Sequence, residues 1–231
     1  LLLMFALVAC DSGDIEEKEY TTVNSGRTVK LTATVTGTDA WPAQYAIALA
    51  GFDGNSNYAV VQRTLPSDIE ENTDVELVLS NLANEVSTVE FAVTNRLRER
   101  ILVLERINLE DFQNTDDTIR MEVGRIDLSM LGCMQRGIFN VACIQCHGGN
   151  GGREAANLNL TQGQAQAQLV DMPSTRVEGM YRVVSGDADN SLLHQILNEG
   201  GEGILHYNHT EVLSSQFKEN LEEVRALIDE W

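Results

Sequence analysis

The chain has 231 residues, 43% of them hydrophobic and 22% charged, with 18 glycines and 3 prolines. That composition excludes a disordered polypeptide and leaves room for a buried core in one or two small domains. Its 35 acidic and 16 basic side chains give a formal net charge of -19. Such a charge rules against nucleic acid and anionic lipid as electrostatic partners and is compatible with basic protein partners.

The first nine residues, Leu1 to Ala9, form an apolar run too short to span a bilayer, and small residues precede Cys10. This reads as the end of a signal peptide. Leu7-Val8-Ala9-Cys10 resembles a bacterial lipoprotein box, which would make Cys10 the acylated first residue of the mature chain. Residues 11–19 are polar and acidic and have no core-forming pattern, so residues 1–19 are expected to be a signal remnant and tether. The acids Asp14, Glu16, Glu17 and Glu19 also resemble the sorting signals of some surface-exported lipoproteins. The expected location is the bacterial cell envelope, lipid-anchored and facing the periplasm or the cell surface.

Residues 20–126 read as strand after strand, rich in Val, Thr and Ile and broken by Gly, Asn, Asp and Pro. Val29 to Val35 alternates apolar and polar. Gln44 to Ala50, Tyr58 to Arg63, Val75 to Leu79, Thr88 to Val93, Ile101 to Glu105 and Thr118 to Val123 follow at short spacing. Seven short strands predict an all-β sandwich. The region holds no Cys and no His, and its acids fall at turns and strand faces. It therefore reads as a spacer or interaction module, with Trp41 a loop or core anchor.

At Asp127 the apolar period changes from two toward 3.6, and residues 127–231 read as a helical domain. Leu128, Leu131, Gln135, Ile138 and Phe139 can share one helix face, weakened by Gly132 and Gly137. A helix is expected from Thr161 to about Val170. Another is expected at Leu192, Leu193, Ile196 and Leu197, after the capping side chains of residues 187–191. Phe217, Leu221, Val224, Ile228 and Trp231 form a final apolar stripe that Ser214 or Ser215 could cap.

The first of these helices leads into Cys143-Ile144-Gln145-Cys146-His147. Two thiols separated by two residues and followed at once by an imidazole form the arrangement that attaches c-type haem. The cysteines add across the two vinyl groups of one porphyrin edge, which places the neighbouring histidine as proximal iron ligand. A zinc site would need two further ligands at matching spacing, although His206 and His209 are available. A thioredoxin-like dithiol would need a β-α-β context that is missing. Cys133 is left over and reads as a buried, inert thiol.

Several stretches resemble a small bacterial monohaem cytochrome c domain of the planctomycete-type class. They are Gly137-Ile138-Phe139-Asn140, the motif with Gly148-Gly149, Leu158-Asn159-Leu160-Thr161, Val183-Val184-Ser185-Gly186-Asp187, Asp189-Asn190-Ser191-Leu192-Leu193 and the final helix. The resemblance covers residues 128–231 and none of the strand-rich half. It implies an all-α cytochrome c-like fold around one covalent haem c, with electron transfer as the activity. Such domains usually carry a distal methionine shortly before the last helix, but this chain has Leu205-His206-Tyr207-Asn208-His209 there. His206 is the first expectation for the distal ligand and His209 the second, ahead of Met172, Met180 and an open site. His194, on an apolar helix, reads as a packed or surface histidine.

The expected protein is thus a membrane-anchored cytochrome that passes electrons between redox protein partners and is not an enzyme. A peroxidase-like activity would need an open distal site. The alternative reading is a surface binding or adhesion lipoprotein in which the β-sandwich carries the main function.

Overall fold

The computed structural model describes residues 26–38, 41–112, 118–149, 154–199, 205 and 207–231. Cys10, the whole expected tether and His206 lie outside these residues. Among the described residues no helix is long and apolar enough to cross a membrane.

Seven strands come first: β1 (Thr28–Thr36), β2 (Tyr45–Phe52), β3 (Ala59–Thr64), β4 (Thr73–Leu79), β5 (Thr88–Asn95), β6 (Arg100–Asn108) and β7 (Thr118–Asp127). They form a three-stranded sheet in the order β4-β1-β7 and a four-stranded sheet in the order β3-β2-β5-β6. All pairings are antiparallel except that of β1 with β7. In β1 the alternation places Val29, Leu31, Ala33 and Val35 inside and leaves Lys30, Thr32 and Thr34 half-buried. The central strands β2 and β5 are buried on both faces from Ile47 to Phe52 and from Val89 to Thr94. The outer face of this sheet carries a charged cluster, in which Arg100 lies 5.1 Å over the Phe52 ring.

The C-terminal half departs from the expected fold: residues 127–231 do not form an all-α cytochrome c-like domain. The helices are few and short: α1 (Met130–Met134), a π-helix (Gln135–Cys143), α2 (Ile144–His147), α3 (Ala165–Leu169), α4 (Leu192–Asn198), α5 (His209–Gln216) and α6 (Leu221–Glu230). Between α3 and α4 the chain runs as loops joined by isolated bridges, Val170 with Val183 and Tyr181 with Ser191. Helices this short are marginal alone, and they pack on one another, α4 against α5 and α6, as well as on β6 and β7. Their apolar residues therefore enter the core of the sandwich. Met134, Ile138, Phe139, Leu213, Val224 and Leu227 belong to the same buried cluster as Leu31, Phe91 and Leu102.

The contact surface is β6, the edge strand of the four-stranded sheet. An open edge presents unpaired backbone groups, and here side chains of the helical half satisfy them. Asn220 Nδ2 donates to the carbonyls of Ile101 at 2.7 Å and Arg100 at 3.1 Å. Arg136 donates through Nε to the Leu104 carbonyl and through Nη2 to the Glu105 carboxylate at 2.6 Å. The final helix also begins later than its apolar stripe suggests. Ser214 and Ser215 close α5 by bonding back to the carbonyls of Glu211 and Val212. The chain then breaks over residues 217–220 before α6, which leaves the Asn220 side chain free to reach the sheet edge.

Candidate functional site

A fixed junction brings the motif off the sandwich. Trp41 Nε1 donates to the Leu128 carbonyl at 2.6 Å, and Asp127 Oδ1 accepts from the Ser129 amide at 2.9 Å. Ser129 caps α1 by accepting from the Gly132 amide at 3.0 Å. Glycine is required at position 132, because a Cβ there would lie 2.5 Å from the Asp127 carbonyl oxygen. From this start the helix widens into the π-helix that ends at Cys143. π-Helical turns are rare and concentrate at functional sites.

In the helical turn that follows, Cys143, Cys146 and His147 stand at positions i, i+3 and i+4, so all three side chains share one face. Gly148 ends the helix directly behind them; a Cβ there would lie 2.2 Å from the Ile144 carbonyl oxygen. Cys146 is exposed and Cys143 half-buried. Burial pushes the Cys143 thiol up to about 12, helped by the neighbouring Cys146, so both the packing and the local charge favour its protonated form. Cys133 is fully buried on α1 and its thiol is raised as well, first by desolvation and then by Asp127. Its surroundings are those of an inert core thiol.

The fold places a second imidazole opposite the first. His209 opens α5, where Asn208 caps the helix by accepting from the Thr210 amide at 3.1 Å. The rings of His147 and His209 are 6.5 Å apart between centroids and within 20° of parallel. His147 Nδ1 lies 3.0 Å from the Ala155 carbonyl oxygen, and His209 Nδ1 lies 3.1 Å from that of Tyr207. A carbonyl can only accept, so each Nδ1 carries its proton and each Nε2 keeps a free lone pair. Metal-ligating histidines are oriented in this way. Burial holds both imidazoles below the ordinary histidine pKa. For His147 the carbonyls of Ala155 and Leu158 oppose that effect and Arg182 adds to it. For His209 the Tyr207 carbonyl opposes it and His147 adds to it. In both the balance favours the neutral imidazole, the form that coordinates.

Apolar surface is exposed around the pair. Val141 precedes Cys143 by two residues, and Tyr207, edge-on to His209 at 5.7 Å, is 59% exposed. Met172 and Tyr181 are also exposed, on a segment joined to residues 155–157 through Arg182.

Of the other expected site residues, His194 binds Asp229 through Nδ1 at 2.8 Å. It lines a cleft of about 570 Å³ with Asp187 and Trp231, one that does not include the cysteine motif. Met172 and Met180 contribute backbone carbonyls to their loop, accepting from Arg182 and Ser174 at 2.8 Å each. Two residues emerge only from the structure. Tyr207 supplies both the carbonyl and the ring against His209, and Arg182 is a basic residue 7% exposed beside the loop that carries Ala155. Only the apolar setting of Arg182, in Tyr181-Arg182-Val183-Val184, could have marked it in the sequence.

No protein-family model matches the chain, and no curated protein and no solved structure matches it either.

Among the described residues no group of three or more His, Cys, Asp or Glu side chains converges as a metal site. A zinc ion held by protein alone needs three or four such ligands, whereas a metal already held in a macrocycle needs at most two. If a haem is bound, Cys143 and Cys146 are the side chains that would hold it by thioether bonds, and His147 and His209 those that would ligate its iron.

Proposed function

We propose that this chain is a c-type haem protein that passes single electrons between redox protein partners. Cys143 and Cys146 hold the haem by thioether bonds, and His147 and His209 are its axial ligands. The observation that carries this reading is the near-parallel imidazole pair at 6.5 Å beside the C-x-x-C turn, with each Nδ1 committed to a carbonyl. When bound, the haem supplies a one-electron iron couple; the polypeptide sets ligation, burial and access. His209 takes the place first expected for His206, because its ring stands against His147. Imidazole in place of a thioether favours ferric iron, so the potential lies below that of a His/Met site. The net charge of -19 suits a basic partner. Lipid attachment at Cys10 belongs to the same proposal, since thioether haem is attached outside the cytoplasm.

The test is expression with a haem-maturation system, followed by a pyridine haemochrome assay and oxidised and reduced spectra. One covalent haem per chain, low-spin in both states and without the long-wavelength sulfur-to-iron band, is expected. His209→Met should create that band and His206→Met should not. A chain that emerges without covalent haem refutes the proposal.

A further inference from the structure

Among the described residues, Arg182 is a cation inside the protein without a carboxylate partner. It is 7% exposed, and none of the ion pairs among the described residues includes it. Its guanidinium instead donates to neutral oxygens. Nη1 reaches the Gln168 carbonyl at 2.7 Å and that residue's side-chain oxygen at 3.4 Å, and Nη2 reaches the carbonyls of Ala156 and Asn157 at 3.1 Å each. Burying a cation on such partners is costly, so what the arrangement holds in place matters.

It holds a strained turn. Ala156 and Asn157 sit at φ 56° and 50°, a left-handed conformation unfavourable for residues with a Cβ. Thr175 Oγ1 donates to the same Ala156 carbonyl at 2.7 Å. The residue just before, Ala155, gives its carbonyl to His147 Nδ1. Arg182 and Thr175 thus grip one side of the turn, and the other side presents the Ala155 carbonyl, with that of Leu158, to the imidazole.

We infer that Arg182 is a positioning residue for His147. By clamping residues 156 and 157, it keeps the Ala155 carbonyl on Nδ1, which fixes the tautomer and ring orientation and raises the basicity of Nε2. The effect on redox potential rests on the haem reading above, whereas the effect on the tautomer does not.

The two ways in which Arg182 could influence the iron have opposite signs. A nearby positive charge disfavours ferric iron, so if charge alone mattered, Arg182→Gln would lower the midpoint potential. A hydrogen bond from Nδ1 makes the imidazole a stronger donor and favours ferric iron. If the clamp matters, Arg182→Gln raises the potential.

The experiment measures midpoint potentials of the matured full-length protein and its variants, each checked for one haem per chain. The expected results are an upward shift for Arg182→Gln, a smaller upward shift for Arg182→Lys, which keeps charge and part of the clamp, and an upward shift for Thr175→Ala. Thr175 is exposed and uncharged, so its variant keeps the question answerable if the arginine variants fail to fold. A downward shift for Arg182→Gln, or an unchanged potential for Thr175→Ala, overturns the inference. If the parent chain carries no haem, the haem reading fails by itself. The clamp is then read in the haem-free protein from imidazole nitrogen shifts, where Thr175→Ala should turn a pure Nδ1–H tautomer of His147 into a mixture. An unchanged tautomer there overturns the inference equally.

Discussion

Leu102→Ala tests whether the strands and the helices unfold as one body. Leu102 is 1% exposed, belongs to β6 and faces the π-helix so closely that a Cβ on Gly137 would lie 3.2 Å from its own Cβ. Truncating a buried leucine costs about 2–5 kcal/mol, the more so where the surroundings cannot collapse into the cavity. Here they are pinned: Arg136, next to Gly137, is bonded to the Leu104 carbonyl and paired with Glu105. The expected loss is therefore in the upper range, about 3–5 kcal/mol, which for a chain of this length lowers Tm by roughly 6 °C or more. Hydrogen exchange read by mass spectrometry across a urea titration resolves the response by segment. Peptides from β2 and β5 and peptides from α5 and α6 should unfold at one midpoint in the parent protein and at one lower midpoint in the variant. A midpoint that falls for the strands while α6 stays where it was refutes the continuous core.

Two further outcomes follow from the charged and titrating groups. Glu90 is fully buried on β5 and accepts through Oε1 from Arg100 at 2.9 Å and from Arg106 at 2.8 Å. Glu90→Gln leaves Arg100 with only the exposed Glu219 carboxylate, 3.9 Å away, and should cost about 3 kcal/mol, the low end for a broken buried pair because Arg106 is partly solvated. Glu76→Gln, in the exposed pair with Lys30, should cost no more than about 1 kcal/mol; equal losses in urea titrations would contradict the ranking. The Tyr45 phenol is pushed up to about 12 by burial and then by Glu230. A group whose pKa is raised on folding stabilises the protein fully below its unfolded value, near 10, and loses that contribution as pH rises toward the folded value. The parent should lose stability between pH 10 and 12 more steeply than Tyr45→Phe, and parallel alkaline denaturation curves would exclude this role.

The strands were legible because they are local. Each expected strand overlaps an observed one, and the alternation in β1 dictates which face is buried whatever the strand pairs with. The Cys143 to His147 turn was legible for the same reason: positions i, i+3 and i+4 share a helix face by backbone geometry alone. The pairing of β1 in parallel with β7, across most of the sandwich, was not. Nor was the fate of the helices, since an amphipathic stripe demands burial without naming the surface that covers it. The stripe through Val224 and Ile228 suits packing against other helices as well as packing against a sheet, and in the structure α6 meets both α4 and β6.

The same division runs through the site. The sequence by itself determined that two thiols and an imidazole share one turn and that no methionine lies between residues 205 and 209. That the His209 ring lies 6.5 Å from that of His147 depends on where α5 begins and on what the helices pack against. These are non-local contacts, and only the tertiary structure decided them. Arg182 and the Ala155 carbonyl were beyond sequence reading for the same reason. A buried arginine on backbone carbonyls leaves no spacing pattern, because its partners are peptide groups that every residue carries.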